Sequence, residues 1–334
     1  MADGSEPERA VETAATPTFS ISIEWENARF ADLERTRRLL RRLREELCEL
    51  PTLPQAPQVA FLFDRFSMDG DLVERTVEEE LRPRETPARV TIIPTDGLRY
   101  YQQKNLGAAS SDGEIVIFLD CDVVPEQGWL RSMLDAFADP TVAVVGGETY
   151  VELDGLVGKA FALFWLFALR DPGSGLAPAD FFHANNVAFR RSVFAAQPFP
   201  DAPIYRGQCT LLSASLLARG LGLFRLKSGR AAHPHPRTLS YFMARALNGG
   251  HDFLMVERIL GRGESLSWRR LLSEYRGRLR YGTERILAHR RDVGLSRAGA
   301  AAALAIAFAY FSLFTLGEAV SIDRPRLIPR LLPI

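Results

Sequence analysis

Between residues 18 and 147, short β-branched or apolar runs alternate with longer amphipathic stretches, and this rhythm restricts the fold more than any other feature. Phe19–Glu24 (FSISIE), Val59–Phe63, Val90–Ile93, Glu114–Leu119 (EIVIFL) and Val142–Val145 read as strands. Arg29–Leu50 reads as a helix with Phe30, Leu33, Leu40, Leu43 and Leu47 on one face and arginines on the other. Asp71–Leu81, Tyr100–Ser110 and Glu126–Ala138 read as further helices. Strands separated by helices close as βαβ units with right-handed crossovers. The expected fold class is therefore α/β: a mostly parallel, Rossmann-like sheet flanked by helices. EIVIFL is apolar throughout, as befits a strand buried on both faces. Ligands of such sheets bind beyond the carboxyl ends of the strands, so the residues after Phe63 and Leu119 are where chemistry is expected.

The second half is less regular. Leu156–Leu169 reads as an apolar core helix, Phe182–Phe189 as a strand, Leu211–Arg219 as a helix closed by Gly220, and residues 238–290 as two long helices. Lys and Arg together number 41, as do Asp and Glu, and this balance excludes the strongly basic kind of nucleic-acid binder. Cys48, Cys121 and Cys209 lie far apart with no C-x-x-C pair, which fits a reducing compartment and no disulfide framework.

The zero sum is unevenly distributed. Residues 1–17 are acidic and read as a disordered tail; 18–236 hold the α/β domain, 237–297 a basic helical extension, 298–317 a transmembrane or membrane-associated helix, and 318–334 a second tail. Ala298–Leu316 carries no charge and is about as long as a bilayer span requires, although the core helix of a soluble domain reads the same way. Arg278, Arg280, Arg285, Arg290, Arg291 and Arg297 precede the run, whereas only Arg324, Arg326 and Arg330 follow it. That bias implies attachment to the cytoplasmic face of the cell membrane, single-pass or peripheral, with the α/β domain cytoplasmic.

Asp120-Cys121-Asp122 follows the buried strand directly. Two carboxylates one residue apart at the end of a dry strand repel each other and lose solvation, a costly arrangement unless they share a cation. Mg²⁺ and Mn²⁺ favour one or two protein carboxylates plus substrate phosphates, and such an ion neutralises a departing diphosphate. The alternative is an Asx-type turn without metal.

The D-x-D sits in a longer string: Lys104-Asn105-Leu106-Gly107, Ser111-Asp112-Gly113-Glu114, then IVIFLDCDVVPEQGWL. Downstream come Gly146-Gly147, Asn185-Asn186-Val187-Ala188-Phe189-Arg190-Arg191, Tyr205-Arg206-Gly207 and His233-Pro234-His235-Pro236. In order and spacing, residues 18–236 resemble glycosyltransferase family 2, whose members have the GT-A fold and transfer sugars from nucleotide-diphosphate donors. The resemblance implies that Asp64 contacts the nucleoside, with Glu24 (or Glu26), Lys104 and Asn105 also on the nucleotide-sugar side. It implies that Asp120 faces the ribose and sugar, and that Asp120, Asp122 and His233 form the metal site. Asn185, Asn186, Arg190 and Gln208 fall on the acceptor side, and the implied acceptor is a glycan or a lipid-linked molecule, with inversion at the anomeric carbon.

Two departures stand out. The first strand runs into Ile23-Glu24-Trp25-Glu26-Asn27, where family members usually have I-P-x-Y/F-N. More seriously, the family's E-D pair, which supplies the general base, is replaced within Gly207-Gln208-Cys209-Thr210. Neither an amide nor an ordinary thiol is a base for an alcohol. Asp180, Asp201 and Glu148 are the acids left as substitutes. The same gap supports a second reading, a non-catalytic GT-A-fold binding protein. A nucleotidyltransferase is a third, weakened because no Gly-rich loop follows the first strand.

Overall fold

The computed structural model describes residues 17–29, 32–51, 53, 55–262 and 268–332; apart from its last residue, the acidic tail lies outside them. The alternating first half forms β1 (Phe19–Glu24), α1 (Leu33–Glu49), β2 (Gln58–Asp64), α2 (Gly70–Glu80), β3 (Arg89–Thr95), α3 (Tyr100–Ala109) and β4 (Ile115–Asp120). The Asp32 and Asp69 side chains accept N–H bonds in the first turns of α1 and α2, which fixes where these helices start. The chain continues through β5 (Val124–Pro125), α4 (Trp129–Asp135), β6 (Val144–Val151), α5 (Gly155–Phe164), β7 (Leu176–Ala179), β8 (Asn186–Arg190), α6 (Arg191–Ala196), α7 (Gln208–Ala218) and β9 (Leu223–His233). It closes with α8 (Leu239–Ile259), α9 (Trp268–His289), α10 (Arg297–Asp323) and α11 (Leu327–Leu331).

Among the described residues the strands join one sheet in the order β3-β2-β1-β4-β8-β6-β9-β5, with β7 on β9. β3, β2, β1 and β4 are all parallel, as the βαβ rhythm requires. Beyond β4 the sheet is mixed: β8 is antiparallel to both β4 and β6, while β6 and β9 are parallel. One face packs against α1, α2 and α4, through Leu39, Leu43, Val73, Val77 and Leu130. The other packs against α3, α6 and α7, where Phe118, Phe189, Phe194 and Phe199 form an aromatic cluster. β4 is buried along its whole length.

Several sequence expectations change, among them the helix expected over Leu156–Leu169, which ends at Phe164. Phe182–Phe189 pairs as a strand only from Asn186, because Phe182 is apolar for burial in the aromatic cluster rather than for pairing. β9 escapes sequence reading because RLKSGR is polar and broken by Gly229, and β7 (LAPA) because it is an exposed edge strand containing a proline. The helix expected from Glu126 begins at Trp129, after Gly128 in the left-handed region (φ 77°).

The apolar C-terminal run lies within α10, which packs on α5, α8 and α9 rather than standing apart. Ala300, Ala303, Ala307, Tyr310 and Phe311 join the core formed with Phe161, Phe164 and Ile286. Where α10 crosses α8 the backbones touch: a Cβ on Gly250 would lie 1.9 Å from the Phe314 carbonyl oxygen, and one on Gly317 2.1 Å from that of Leu247. The buried Glu318 carboxylate receives both arms of Arg278 at 2.6 Å, and Trp165 Nε1 donates to the Tyr310 hydroxyl at 2.9 Å. The outer face of α10 leaves Phe308 and Leu316 exposed, and α9 exposes Trp268, Leu272 and Leu287.

Candidate active site

The carboxyl ends of β1, β2 and β4 bring Glu24, Asp64 and Asp120 to one edge of the sheet, and Glu24 stands opposite Asp120 in the β1–β4 register. Asp120 is buried and fully engaged. Lys104 Nζ and the Tyr100 hydroxyl both donate to Oδ1 at 2.7 Å, and Asn27 Nδ2 donates to Oδ2 at 2.8 Å. Burial alone would raise this carboxyl, but the charges of Lys104 and Arg206 and the two hydrogen bonds to Oδ1 hold it below its ordinary value. Asn27 also donates to Glu24 at 3.3 Å and accepts from Arg206 Nη2 at 2.7 Å. The Arg206 guanidinium lies 3.4 Å from the Tyr100 ring centroid and 4.3 Å from that of Tyr205. Asp252 on α8 accepts the backbone N–H of Tyr205 and of Arg206, at 3.0 and 2.8 Å, and so fixes the turn carrying that guanidinium.

Asp122 Oδ1 and Arg206 Nη1, like Glu26 Oε2, are buried here with no hydrogen-bond partner among the described residues. Burial, then the Asp120 charge, pushes the Asp122 carboxyl up to about 7. Asp122 lines a small cavity with His233, Trp165, His235 and Tyr241. His233 Nδ1 bonds the Pro234 carbonyl oxygen at 2.6 Å, so that nitrogen carries the proton and Nε2 keeps its lone pair. Burial lowers the imidazole to about 3, which keeps it neutral. Arg35, on α1 and buried, donates to the carbonyl oxygens of Asp122 and Ala232 and pairs with Glu152, so it locks the two segments bearing Asp122 and His233 to each other. An orphaned carboxylate oxygen and a neutral imidazole facing one cavity suit a divalent cation that completes its shell with substrate phosphate and water. Among the described residues no group of three or more His, Cys, Asp or Glu side chains is placed to hold a metal on its own.

Several sequence assignments are redrawn. Asp120, implied as a metal ligand, already takes hydrogen bonds from Lys104, Tyr100 and Asn27, whereas Asp122 Oδ1 has no partner among the described residues. Lys104 is neither a diphosphate contact nor a solvated helix residue; it is wholly buried as the counter-ion of Asp120. Asn105 ties off both backbone groups of Phe199, at 2.8 and 3.0 Å, instead of facing a nucleotide. Asn186 is spent on Trp129 Nε1 and the Gly229 carbonyl oxygen, and Arg190 on the carbonyls of Val142, Phe137 and Asp139; both are framework rather than acceptor-side residues. Asp64 is half-buried with Oδ1 on the Gly97 N–H at 2.7 Å, and Glu24 accepts from the Glu26 N–H. Asn185 accepts from the Thr149 hydroxyl at 3.3 Å, beside Asp120. Tyr100, Arg35 and Asp252 were not legible as site residues, since a Tyr, a helix Arg and a late Asp carry no motif; Asn27 ends the first-strand segment but had no role assigned there.

Of the candidate bases, Asp180 is exposed, and Asp201 is exposed and paired with Arg99 at 3.3 Å. Gln208 and Cys209 begin α7; the amide donates to the Ile204 carbonyl oxygen, and burial pushes the thiol up. Glu148 is buried, raised by that burial, and lines a cleft of about 440 Å³ with His183, Arg225, Arg285 and His289. Phe167, which also lines this cleft, has its ring 4.8 Å from His183 and 4.9 Å from His233, so a single side chain separates the cleft from the Asp122 cavity.

Comparison with known proteins gives a consistent result. Residues 67–196 match the glycosyl transferase family 2 model. Over 153 residues the chain is 30% identical to the pre-mycofactocin glycosyltransferase of Mycobacterium tuberculosis (strain CDC 1551 / Oshkosh), a match covering 44% of this chain and 33% of that relative. The matched stretch thus spans about a third of the relative's length. The mannosyltransferase PcManGT from Pyrobaculum calidifontis, solved with GDP-Man and Mn²⁺, superposes with a TM-score of 0.59 at 15% identity over 93% of this chain and 88% of that one. S. aureus TarS 1–349, solved with UDP-GlcNAc, gives 0.51 at 13% identity over 92% of each chain. These likenesses establish the GT-A fold.

Removing the buried cation tests the Asp120 network. Lys104→Met should cost about 3–5 kcal/mol of folding stability in urea titrations, because it leaves an uncompensated buried carboxylate. Lys104→Met with Asp120→Asn should recover much of that loss. Additive losses in the double variant would contradict the pairing.

Proposed function

We propose, for a chain that carries a glycosyl transferase family 2 domain over residues 67–196 on a GT-A fold, that it moves a sugar from a nucleotide-diphosphate donor to an acceptor with the help of Mg²⁺ or Mn²⁺ and inversion at the anomeric carbon. The observation that carries this reading is that Asp122, with Oδ1 unpartnered, lines the same cavity as His233, while Arg206 Nη1 is buried and unpartnered in the adjoining Asp120 network. Asp122 and His233 would hold the cation, which supplies charge neutralisation for the departing diphosphate. Arg206, kept in place by Asn27, Asp252 and two tyrosine rings, directs its spare N–H toward that diphosphate. Asp64 and Glu24, at neighbouring strand ends, border the nucleoside side, and Asn185 borders the sugar.

The chain's partners in this reading are the nucleotide sugar, a glycan or lipid-linked acceptor, and a membrane surface on the cytoplasmic side. The helical layer supports peripheral attachment over a span. Glycine-mediated contact with α8 and the Glu318–Arg278 pair hold α10 on the protein, while Phe308, Leu316, Trp268, Leu272 and Leu287 offer an apolar outer face. A second reading, a GT-A-fold protein that binds donor without turnover, is favoured by the amide and raised thiol at residues 208 and 209.

Titration with a panel of UDP- and GDP-sugars should show binding to one of them that requires Mn²⁺, and Asp122→Asn should weaken it at least about tenfold. Absence of metal-dependent binding across the panel sinks the proposal. Sedimentation with anionic phosphatidylglycerol vesicles should pull the chain down, and Phe308→Glu with Leu316→Glu should abolish this without unfolding it. Unchanged sedimentation would argue against α10 as the contact.

A further inference from the structure

The carboxyl end of β1 carries two acids, and their hydrogen bonding differs. Glu24 is engaged through both oxygens: Oε2 accepts the Glu26 N–H at 2.8 Å and Oε1 accepts Asn27 Nδ2 at 3.3 Å. These bonds fold the chain into the 3₁₀ turn Glu26–Arg29. Trp25, wholly buried, anchors the same turn. Its N–H donates to the Leu62 carbonyl oxygen at 2.7 Å, and its ring packs edge-on against Phe61. Glu26 is also buried, yet its Oε2 has no hydrogen-bond partner among the described residues.

The sheet fixes where this carboxyl group sits. In the β1–β2 register Glu24 stands opposite Leu62. Glu26 and Asp64, each two residues further on, therefore come at the same level of adjacent strand ends. Asp64 accepts the N–H of Gly97, in the loop leading into α3. Burial raises the Glu26 carboxyl, while the charges of Arg206 and Arg29 and the Tyr100 backbone N–H oppose that rise. A buried carboxylate oxygen without a donor costs free energy that a ligand's N–H recovers.

The family pattern has Tyr or Phe where this chain has Glu26. An aromatic ring stacks on the face of any base, whereas a carboxylate accepts hydrogen bonds from a base edge and so tells bases apart. Guanine offers two donors side by side, N1–H and its 2-amino group, which match a carboxylate. Uracil offers only N3–H, flanked by two carbonyl oxygens that a carboxylate repels. Adenine and cytosine each set their amino group beside a ring-nitrogen lone pair, with the same repulsion.

The geometry points to Glu26 as the residue that selects the nucleobase, and to guanine as the base it selects. This rests on the sugar-transfer reading above and names the nucleotide of its donor, a guanosine diphosphate sugar. A base that leaves the Glu26 carboxylate unpaired is rejected.

Calorimetry on the full chain with Mn²⁺ tests this with GDP, UDP and inosine diphosphate, which differs from GDP only in lacking the 2-amino group. GDP should bind at least about tenfold tighter than UDP, with inosine diphosphate between them. In variants the readout is the ratio of GDP to UDP affinity, because a general effect on the diphosphate cancels in it. Glu26→Gln and Glu26→Tyr should each bring that ratio close to one, with UDP still bound. UDP binding as tightly as GDP, or a ratio that survives both substitutions, would overturn the assignment. Loss of both nucleotides in both variants would place Glu26 in the framework and overturn it too. If none of the three nucleotides binds with Mn²⁺, the sugar-transfer reading falls and this assignment with it. UDP binding without a preference for GDP sinks the assignment alone.

Discussion

Everything around the site follows from burying a carboxylate at the end of the central strand. β4 is dry along its length, so Asp120 leaves it with no water to solvate its charge. Lys104 supplies the opposite charge from inside α3, and Tyr100 and Asn27 satisfy the remaining acceptor capacity. The second carboxylate of the D-x-D keeps an unpartnered oxygen and lines a cavity with His233, and Asn27 passes the order of the network to Arg206. The first aspartate is held in the framework, and the second keeps an oxygen without a partner among the described residues.

Rigidity comes from long-range pins. Arg35 joins the turn after β4 to the end of β9, residues far apart in sequence, and Asp252 fixes the backbone of the Arg206 turn from α8. The helical extension is therefore joined to the site through Asp252. α8, which carries Asp252, and α10 are parts of one helical layer.

Much of the fold was legible in the sequence because strand and helix periodicities in residues 18–147 are local. β9 was not, since its polar RLKSGR stretch pairs for reasons set by β6 and β7 rather than by its own composition. Asp122 and His233, which a motif and its spacing single out, line one cavity, whereas Asn186, Arg190 and Asn105 sit in the motif yet spend their hydrogen bonds on the backbone or Trp129. Lys104 shows the limit best: a lysine on a helix looks solvated until the fold places it beneath β4, with no exposed surface. Which residues of a motif are free to act depends on hydrogen-bond accounting in three dimensions.

The central claim is that a single carboxylate, Asp122, and a single imidazole, His233, hold the cation while Asp120 stays with Lys104. Pulsed electron paramagnetic resonance of Mn²⁺ bound with a nucleoside diphosphate tests it directly. The account predicts coupling to one histidine nitrogen and to the diphosphate phosphorus, with the nitrogen signal lost in His233→Gln and kept in Asp120→Asn. A spectrum with no histidine nitrogen, or one unchanged in His233→Gln, would contradict it.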